Sequence, residues 1–208
     1  MFTGIITHIG TVEEIEFSST QDCLLAISVN KKILRKLDIG CSVACDGICL
    51  TLIKKIKNKL YFQASDETAA KTTLKKWLLK KKINIEFALR AGDEFGGHMV
   101  SGHVDGCAKL KACKVIKNSL EMTFELEKNV ANLAKYIAEK GSISINGISL
   151  TVNKAQKKIF TINVIQHSLN STNLATIKVG DLVNIEIDLI ARYVVKNYHF
   201  NLNHNNHL

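Results

Sequence analysis

An all-β chain built from two similar halves is what the sequence predicts, and three observations predict it. The first is a repeat: Asp46-Gly47-Ile48-Cys49-Leu50-Thr51-Leu52 returns 100 residues later as Asn146-Gly147-Ile148-Ser149-Leu150-Thr151-Val152, the signature of a duplicated unit. The second is apolar-polar alternation in short runs, the period of half-buried strands. The third is that each repeat opens on an Asx-Gly pair, a tight-turn signal because both residues accept a left-handed backbone. The register extends beyond the repeat. It pairs Ile83-Asn84-Ile85-Glu86-Phe87 with Val183-Asn184-Ile185-Glu186-Ile187, and Thr68, Thr72 and Leu74 with Ser168, Thr172 and Leu174. At the front, Met1-Phe2-Thr3-Gly4-Ile5-Ile6 aligns with Met99-Val100-Ser101-Gly102-His103-Val104, an offset of 98 that two inserted loop residues explain.

Taken in order, the first half reads as strands over 10–17, 22–29, 41–45, 48–56, 59–65 and 82–88, and the second over 106–116, 120–127, 141–145, 148–155, 158–165 and 182–188. Strands at that spacing suit a small sandwich or a barrel. Asn129 to Lys140 puts Val130, Leu133, Ala134 and Ile137 on one helical face, with Gly141 as the C′ residue. Three glycines in Arg90-Ala91-Gly92-Asp93-Glu94-Phe95-Gly96-Gly97 interrupt the pattern and mark the boundary. The chain therefore divides into domains at 1–96 and 97–188, followed by 189–208. Within that last piece, Ile190 to Phe200 forms a helix outside the repeat, an assembly element, and the Asn/His-rich end from Asn201 frays.

Composition narrows the functional classes. The chain has 208 residues, 46% hydrophobic and 23% charged, and no apolar run approaches the roughly 20 residues of a membrane span. The first residues show no basic region followed by an apolar stretch, so no secretory signal is expected and the protein is expected in the cytoplasm. The net charge of +9 comes from lysine clusters such as Lys54, Lys55, Lys57 and Lys59. These fall in turns and on solvent faces, with only 6% aromatic residues to interleave, which argues against a nucleic-acid platform. Cys23, Cys41, Cys45, Cys49, Cys107 and Cys113 are too few and irregular for a disulfide framework. The four-residue spacing of Cys41, Cys45 and Cys49 places side chains on one strand face rather than around a metal.

Three motifs carry a resemblance: Met1-Phe2-Thr3-Gly4-Ile5, Gly96-Gly97-His98-Met99-Val100-Ser101-Gly102-His103, and Asn146-Gly147-Ile148-Ser149-Leu150-Thr151. In this order and spacing the chain resembles the α-chain type of riboflavin synthase over almost its whole length, duplication included. The resemblance implies two tandem six-stranded Greek-key β-barrels with short helices, and a C-terminal helix that helps form a homotrimer. It implies neither metal nor redox cofactor. The implied partners are the substrate 6,7-dimethyl-8-ribityllumazine and an association with lumazine synthase. The implied reaction is a dismutation in which two such molecules exchange a four-carbon unit, giving riboflavin and 5-amino-6-(D-ribitylamino)uracil. Duplication then has a physical reason, because two copies of one molecule must be held face to face as donor and acceptor.

By the same resemblance, catalytic roles fall on Cys49, His103, Ser149, Thr151 and Asp188. Cys49 and Thr51 are expected around the lumazine of the first barrel, and Ser149, Thr151, His103 and Asp188 around that of the second. The copies differ where the chemistry should differ: Cys49 faces Ser149, Ile5 faces His103, and Ala88 faces Asp188. An imidazole titrates near neutrality, which makes His103 the expected proton carrier. His98 is its rival, with a turn-fixing role as the alternative. Asp188 also reads as a solvated strand end. Substrate contacts carry over to Gly4, Ile5, Ile6, Cys49, Leu50 and Thr51, with Phe2 as lid or staple and Thr3 beside it, and to the strand edge Gln63, Ala64, Ser65, Asp66, Glu67 and Thr68. Their counterparts are Gly102, His103, Val104, Ser149, Leu150 and Thr151, with Asn163, Val164, Ile165, Gln166, His167 and Ser168, and Lys140 is added. Asp46 stands where the family commonly has Asn, Ile48 replaces a frequent Cys, and the Ile165–Ser168 stretch lacks the usual Pro-Glu-Thr. Lumazine and flavin antenna proteins share the duplicated barrel without converting the ligand, and the retained reacting residues favour the enzyme.

Overall fold

The computed structural model describes residues 1–19, 22–34 and 37–205, with side chains as far as Tyr198. In the first half, β1 (His8–Phe17) and β2 (Cys23–Ser28) lead through α1 (Lys31–Leu34) to β3 (Ser42–Cys45), β4 (Ile48–Ile56) and β5 (Lys59–Ala64). Then α2 (Asp66–Lys71) and a 3-10 turn at Leu74–Lys76 precede β6 (Lys82–Phe87). The second half repeats the series as β7 (Gly106–Ile116), β8 (Ser119–Leu126), β9 (Ser142–Ile145), β10 (Ile148–Gln156), β11 (Ile159–Ile165), α3 (Gln166–Ser171) and β12 (Leu182–Ile187). Each set closes into an antiparallel barrel, β1-β2-β5-β4-β3-β6 and its equivalent β7-β8-β11-β10-β9-β12. Strand β2 lies beside β5 rather than β3, which is the Greek-key return. The expected six strands per half are therefore present. Beyond them, α4 (Leu189–Asn205) extends the expected terminal helix past Asn201, and residues 206–208 of the tail lie outside the described residues.

Period-two patterning fills both barrels. Leu25, Ile27, Leu52, Leu60, Phe62, Ile83 and Ile85 are fully buried in the first, while Phe124 and Phe160 stack at 5.6 Å in the second. The ladder slips at Val12/Glu14 and Leu52/Lys54, and again at Leu110/Ala112 and Val152/Lys154. These are bulges at equivalent places, which bend long strands around a small barrel.

The helix expected over Asn129–Lys140 is instead a 3-10 segment, Lys128–Tyr136, broken at Val130 (φ −123°, ψ 17°). Val130 packs so tightly on Gly106 that a Cβ there would lie 2.5 Å from its Cγ1. A β-branched side chain held by that contact leaves the helical backbone. The left-handed residue is Lys140 (φ 63°), not Gly141.

The barrels meet back to back across an approximate twofold axis. A Cβ on Gly47 would come within 2.6 Å of Gly147 N, and one on Gly147 within 2.8 Å of Gly47 N, so the two turns touch through bare backbone. Around them lies a buried polar lattice. Asn84 Nδ2 donates to Asn146 O at 2.9 Å and Asn184 Nδ2 to Asp46 O at 2.8 Å. Thr73 N donates to Asn184 Oδ1 and Asn173 N to Asn84 Oδ1, both at 2.8 Å. One asymmetry stands out: Asp46 Oδ2 is buried without a hydrogen bond among the described residues, with the Lys81 ammonium 3.7 Å away.

Burial pushes the Asp46 carboxyl up to about 6, against the opposing pull of Lys81 and the Asn84 and Asn173 donors. With a folded-state value above the unfolded one, the group favours folding below pH ~4, and that advantage is lost as pH rises through about 6. Asp46→Asn should therefore be more stable than the parent above pH ~7, by up to about 3 kcal/mol for a two-unit shift. Urea unfolding of both proteins between pH ~4 and ~8 checks this. A gap that is constant across that range contradicts it.

Candidate functional site

The two halves exchange their leading segments. Phe2 and Val100 form an antiparallel bridge, with Phe2 N donating to Val100 O at 2.7 Å and Val100 N to Phe2 O at 3.1 Å. Beyond it, the buried Glu86 carboxylate accepts from Thr3 N (2.7 Å), Thr3 Oγ1 (2.8 Å) and Gly4 N (3.0 Å). Glu186 does the same for Ser101 N (2.6 Å), Ser101 Oγ (2.7 Å) and Gly102 N (2.9 Å). Burial pushes both glutamates up, and the hydrogen bonds oppose it. Each carboxylate thus latches one segment and aims its glycine at the other barrel: Ser149 N donates to Gly4 O at 2.8 Å, and Cys49 N to Gly102 O at 2.9 Å. Ile6 packs against the second core and Val104 against the first.

This crossing corrects the grouping read from the sequence. Gly4 and Ile6 go with the second barrel, at Ser149, and Gly102 and Val104 with the first, at Cys49, while Ile5 lines a cavity beside Ser42 and Ala88. The cause is the twofold seam, which turns each leading segment toward its neighbour's fourth strand. Around Cys49 lie Phe2, Ala44, Val100 and Ala88, with exposed His103 following Gly102. Around Ser149, the nearest polar group is His98: Nδ1 stands 2.7 Å from Ser149 Oγ. His98 is 8% exposed, and its Nε2 is buried without a hydrogen-bond partner among the described residues. Burial lowers its basicity, with the Asp188 charge opposing. Asp188 also receives Ile190 N at 2.8 Å, capping α4 while it faces the histidine. Phe2 is fully buried and pinned by the bridge, so it staples the chain rather than closing as a lid.

The expected contact residues distribute over the barrel exterior. Leu50 is buried, Leu150 half-buried, and Thr51 and Thr151 are exposed. Gln63 and Ala64 end β5, but Ser65 caps α2, its Oγ accepting from Thr68 N at 3.2 Å. Asp66, Glu67 and Thr68 are therefore helical, not strand edge. Likewise Asn163, Val164 and Ile165 end β11, while Gln166, His167 and Ser168 open α3. A serine cap competing with the ladder ends the first strand. Lys140 is exposed beside the start of β9, with its N–H on Val152 O. A cavity of about 610 Å³ opens beside Thr3, Ile5, Ser42, Phe87, Ala88 and Arg90.

Three participants escaped the sequence reading. Glu86 and Glu186 were visible as an acidic residue recurring inside an apolar strand in both copies. Ser42 pairs with Thr51 across β3 and β4 and lines the cavity, yet no pattern in the sequence marks it.

The latch makes a sharp demand at its glycines. Gly102 holds φ +80°, and a Cβ there would lie 2.5 Å from Cys49 Cβ and 3.0 Å from Cys49 N. Gly40 also has positive φ, +91°, but open space around it. Gly40→Ala is expected to cost about 1–2 kcal/mol, the strain of a left-handed backbone alone. Gly102→Ala is expected to cost more than about 3 kcal/mol because overlap adds to strain. Equal losses in denaturant unfolding contradict the close approach.

Comparison with known proteins agrees with the duplicated barrel. A family model described as the lumazine binding domain matches twice, at residues 3–88 and 101–188. The riboflavin synthase of Brucella abortus (strain 2308) is 40% identical over 94% of this chain and 97% of its own. That of Chlamydia trachomatis is 37% identical over 94% and 93%, and that of Bacillus subtilis (strain 168) 34% over 96% and 90%. Among solved structures, LumP complexed with 6,7-dimethyl-8-(1′-D-ribityl) lumazine superposes with a TM-score of 0.79 at 24% identity, covering 89% of this chain and 98% of that one. That likeness speaks for the shared fold.

Proposed function

This chain belongs to the lumazine-binding domain family and carries that domain twice, and from that premise we infer that it is a riboflavin synthase. It converts two molecules of 6,7-dimethyl-8-ribityllumazine into riboflavin and 5-amino-6-(D-ribitylamino)uracil. The observation that carries this is the double domain match together with 34–40% identity to riboflavin synthases along nearly the entire length. Holding two copies in a fixed mutual orientation makes their encounter intramolecular, worth about 7–11 kcal/mol of the barrier.

In the reading we propose, one lumazine lies on each barrel, over the exposed Thr51 or Thr151 and against the first turn of α2 or α3. Leu50, Gln63 to Thr68, and Lys140 with Leu150 and Asn163 to Ser168 serve as contacts. The exchanged segments bring Gly102, His103 and Val104 to the first barrel's ligand and Gly4, Ile5 and Ile6 to the second's, with Phe2 and Thr3 holding them in place. The chemistry begins when an acidic methyl group of the donor loses a proton and the acceptor is activated at the equivalent ring carbon. His103, exposed and one residue past the Gly102 that meets Cys49, exchanges protons at one centre. At the other, Ser149, oriented by His98 with Asp188 behind it, serves the same end. Such acid-base assistance contributes about 10²- to 10⁴-fold.

A complete site in this reading joins the first barrel of one protomer to the second barrel of its neighbour in a homotrimer. Support comes from α4, where Ile190, Tyr193, Val194 and Tyr198 are 60–64% exposed at one-turn spacing, an apolar stripe on a helix that neither copy owns. Domain divisions at 96/97 and 188/189, a cytoplasmic location and association with lumazine synthase belong to the same proposal. No helix among the described residues is long and apolar enough to cross a membrane.

Incubation with the ribityllumazine is expected to yield riboflavin fluorescence and the uracil in equal amounts. Ligand binding without turnover would instead make the chain an antenna-type binder. Asp188→Asn and His103→Gln should each lower turnover by about tenfold or more, and parent-level rates in both would remove the proton-handling roles. Val194→Asp should shift the sedimentation coefficient toward the monomer and abolish turnover together. Loss of assembly with full activity would refute the shared site.

A further inference from the structure

A second cavity, about 490 Å³, opens on the seam between the barrels and contains none of the residues assigned to the two reacting centres. Four lysines line it: Lys76, Lys81 and Lys82 from the first half and Lys109 from the second. In the 100-residue register the second half places Thr176, Asp181 and Leu182 opposite the first three. The duplicated architecture therefore does not require these charges.

Their local partners are weak or absent. Lys82 Nζ donates to Thr11 Oγ1 at 2.8 Å, Lys109 Nζ stands 4.0 Å from Glu127, and Lys81 Nζ stands 3.7 Å from Asp46. The Lys76 ammonium makes no hydrogen bond or ion pair among the described residues. Three carboxylates face the group, Glu127 beside Lys109 among them. Asp46 is sealed beneath Lys81, and Asp181 lines the wall with Oδ2 already accepting from Lys178 N at 2.8 Å. Four lysines against these three carboxylates leave positive charge in excess.

A hydrogen-bond donor adjoins these charges. Asn146 lines the same cavity yet is only 2% exposed. Its Oδ1 accepts from Asn184 N at 2.8 Å, which fixes the amide's orientation. Nδ2 is thereby turned the other way, at the cavity wall, where an acceptor entering the cavity would meet it.

We propose that this inter-barrel cavity binds a small phosphorylated ligand, whose oxygens accept from Asn146 Nδ2 and whose charge is met by Lys76, Lys81, Lys82 and Lys109. A phosphoryl group fits because it brings nearly two negative charges and several acceptor oxygens to one point, and ammonium groups bind it as point charges. The volume suits one small molecule rather than a nucleic-acid strand. Buried Trp77 and half-buried Ile177 supply an apolar wall for the rest of it. Because the site straddles the seam, occupancy also ties the two barrels together. The proposal is independent of the chemistry at Cys49 and Ser149.

Calorimetric titration with pyrophosphate, at about 150 mM KCl to screen diffuse attraction, tests it on the full chain. Saturable binding is expected in the parent. The double variant Lys76→Gln/Lys109→Gln should weaken it by about tenfold or more, whereas Lys31→Gln/Lys32→Gln on exposed α1 should stay within about twofold. Riboflavin formation without pyrophosphate should be unchanged in both. On the parent, amide-detected NMR should show the Asn146 side-chain resonances shifting along the titration. Absence of saturation, equal weakening in both double variants, or an unmoved Asn146 amide overturns the proposal.

Discussion

Two tight turns pressed together through bare backbone are the constraint on which this structure depends. Gly47 and Gly147 leave no room for a side chain between them, so the barrels approach until Asp46, Asn146, Asn84 and Asn184 can bond across the seam. Buried amides without partners would be strongly unfavourable, so the lattice forms only when both copies are folded and docked. That coupling selects one relative orientation of the barrels out of many.

The exchange of leading segments follows from that orientation. A strand leaving one barrel at the seam finds the other barrel's fourth strand at hand, and a glutamate from its own sixth strand holds it there. Each centre of the proposed reaction is consequently composite. The first barrel supplies Cys49 and receives Gly102, and the second supplies Ser149 and receives Gly4. A duplicated gene product thereby builds two unlike centres from similar parts, because differences in either copy are felt on the opposite barrel. Asp46 is the seam's one unbalanced member: its partner position carries an amide, and the carboxylate relies on Lys81 alone for its second oxygen.

Much of the fold was legible in local pattern. Strand positions followed from two-residue alternation, the duplication from the 100-residue repeat, and the turns from Asx-Gly. The segment around Val130 was misread as an α-helix because apolar spacing reports which face is buried, not whether a β-branched residue is forced off the helical backbone by a glycine opposite it. The stretch after Ala64 was misread as strand because a single serine, capping six helical residues, outweighs the alternation preceding it. Cys49, Ser149, Thr151, His103 and Asp188 were named only through resemblance to a family, since none has a partner nearby in sequence.

By itself, then, the sequence determined that there are two like barrels, where their strands run, and that each presents a small polar side chain just past a glycine turn. Periodicity and turn chemistry are local properties, written in adjacent residues. Only the tertiary structure decided that Gly102 meets Cys49 while Gly4 meets Ser149, that His98 lies against Ser149, and that four lysines and the Asn146 amide share a cavity. Those facts arise from contacts between residues far apart in sequence, brought together by a seam whose geometry depends on both copies at once.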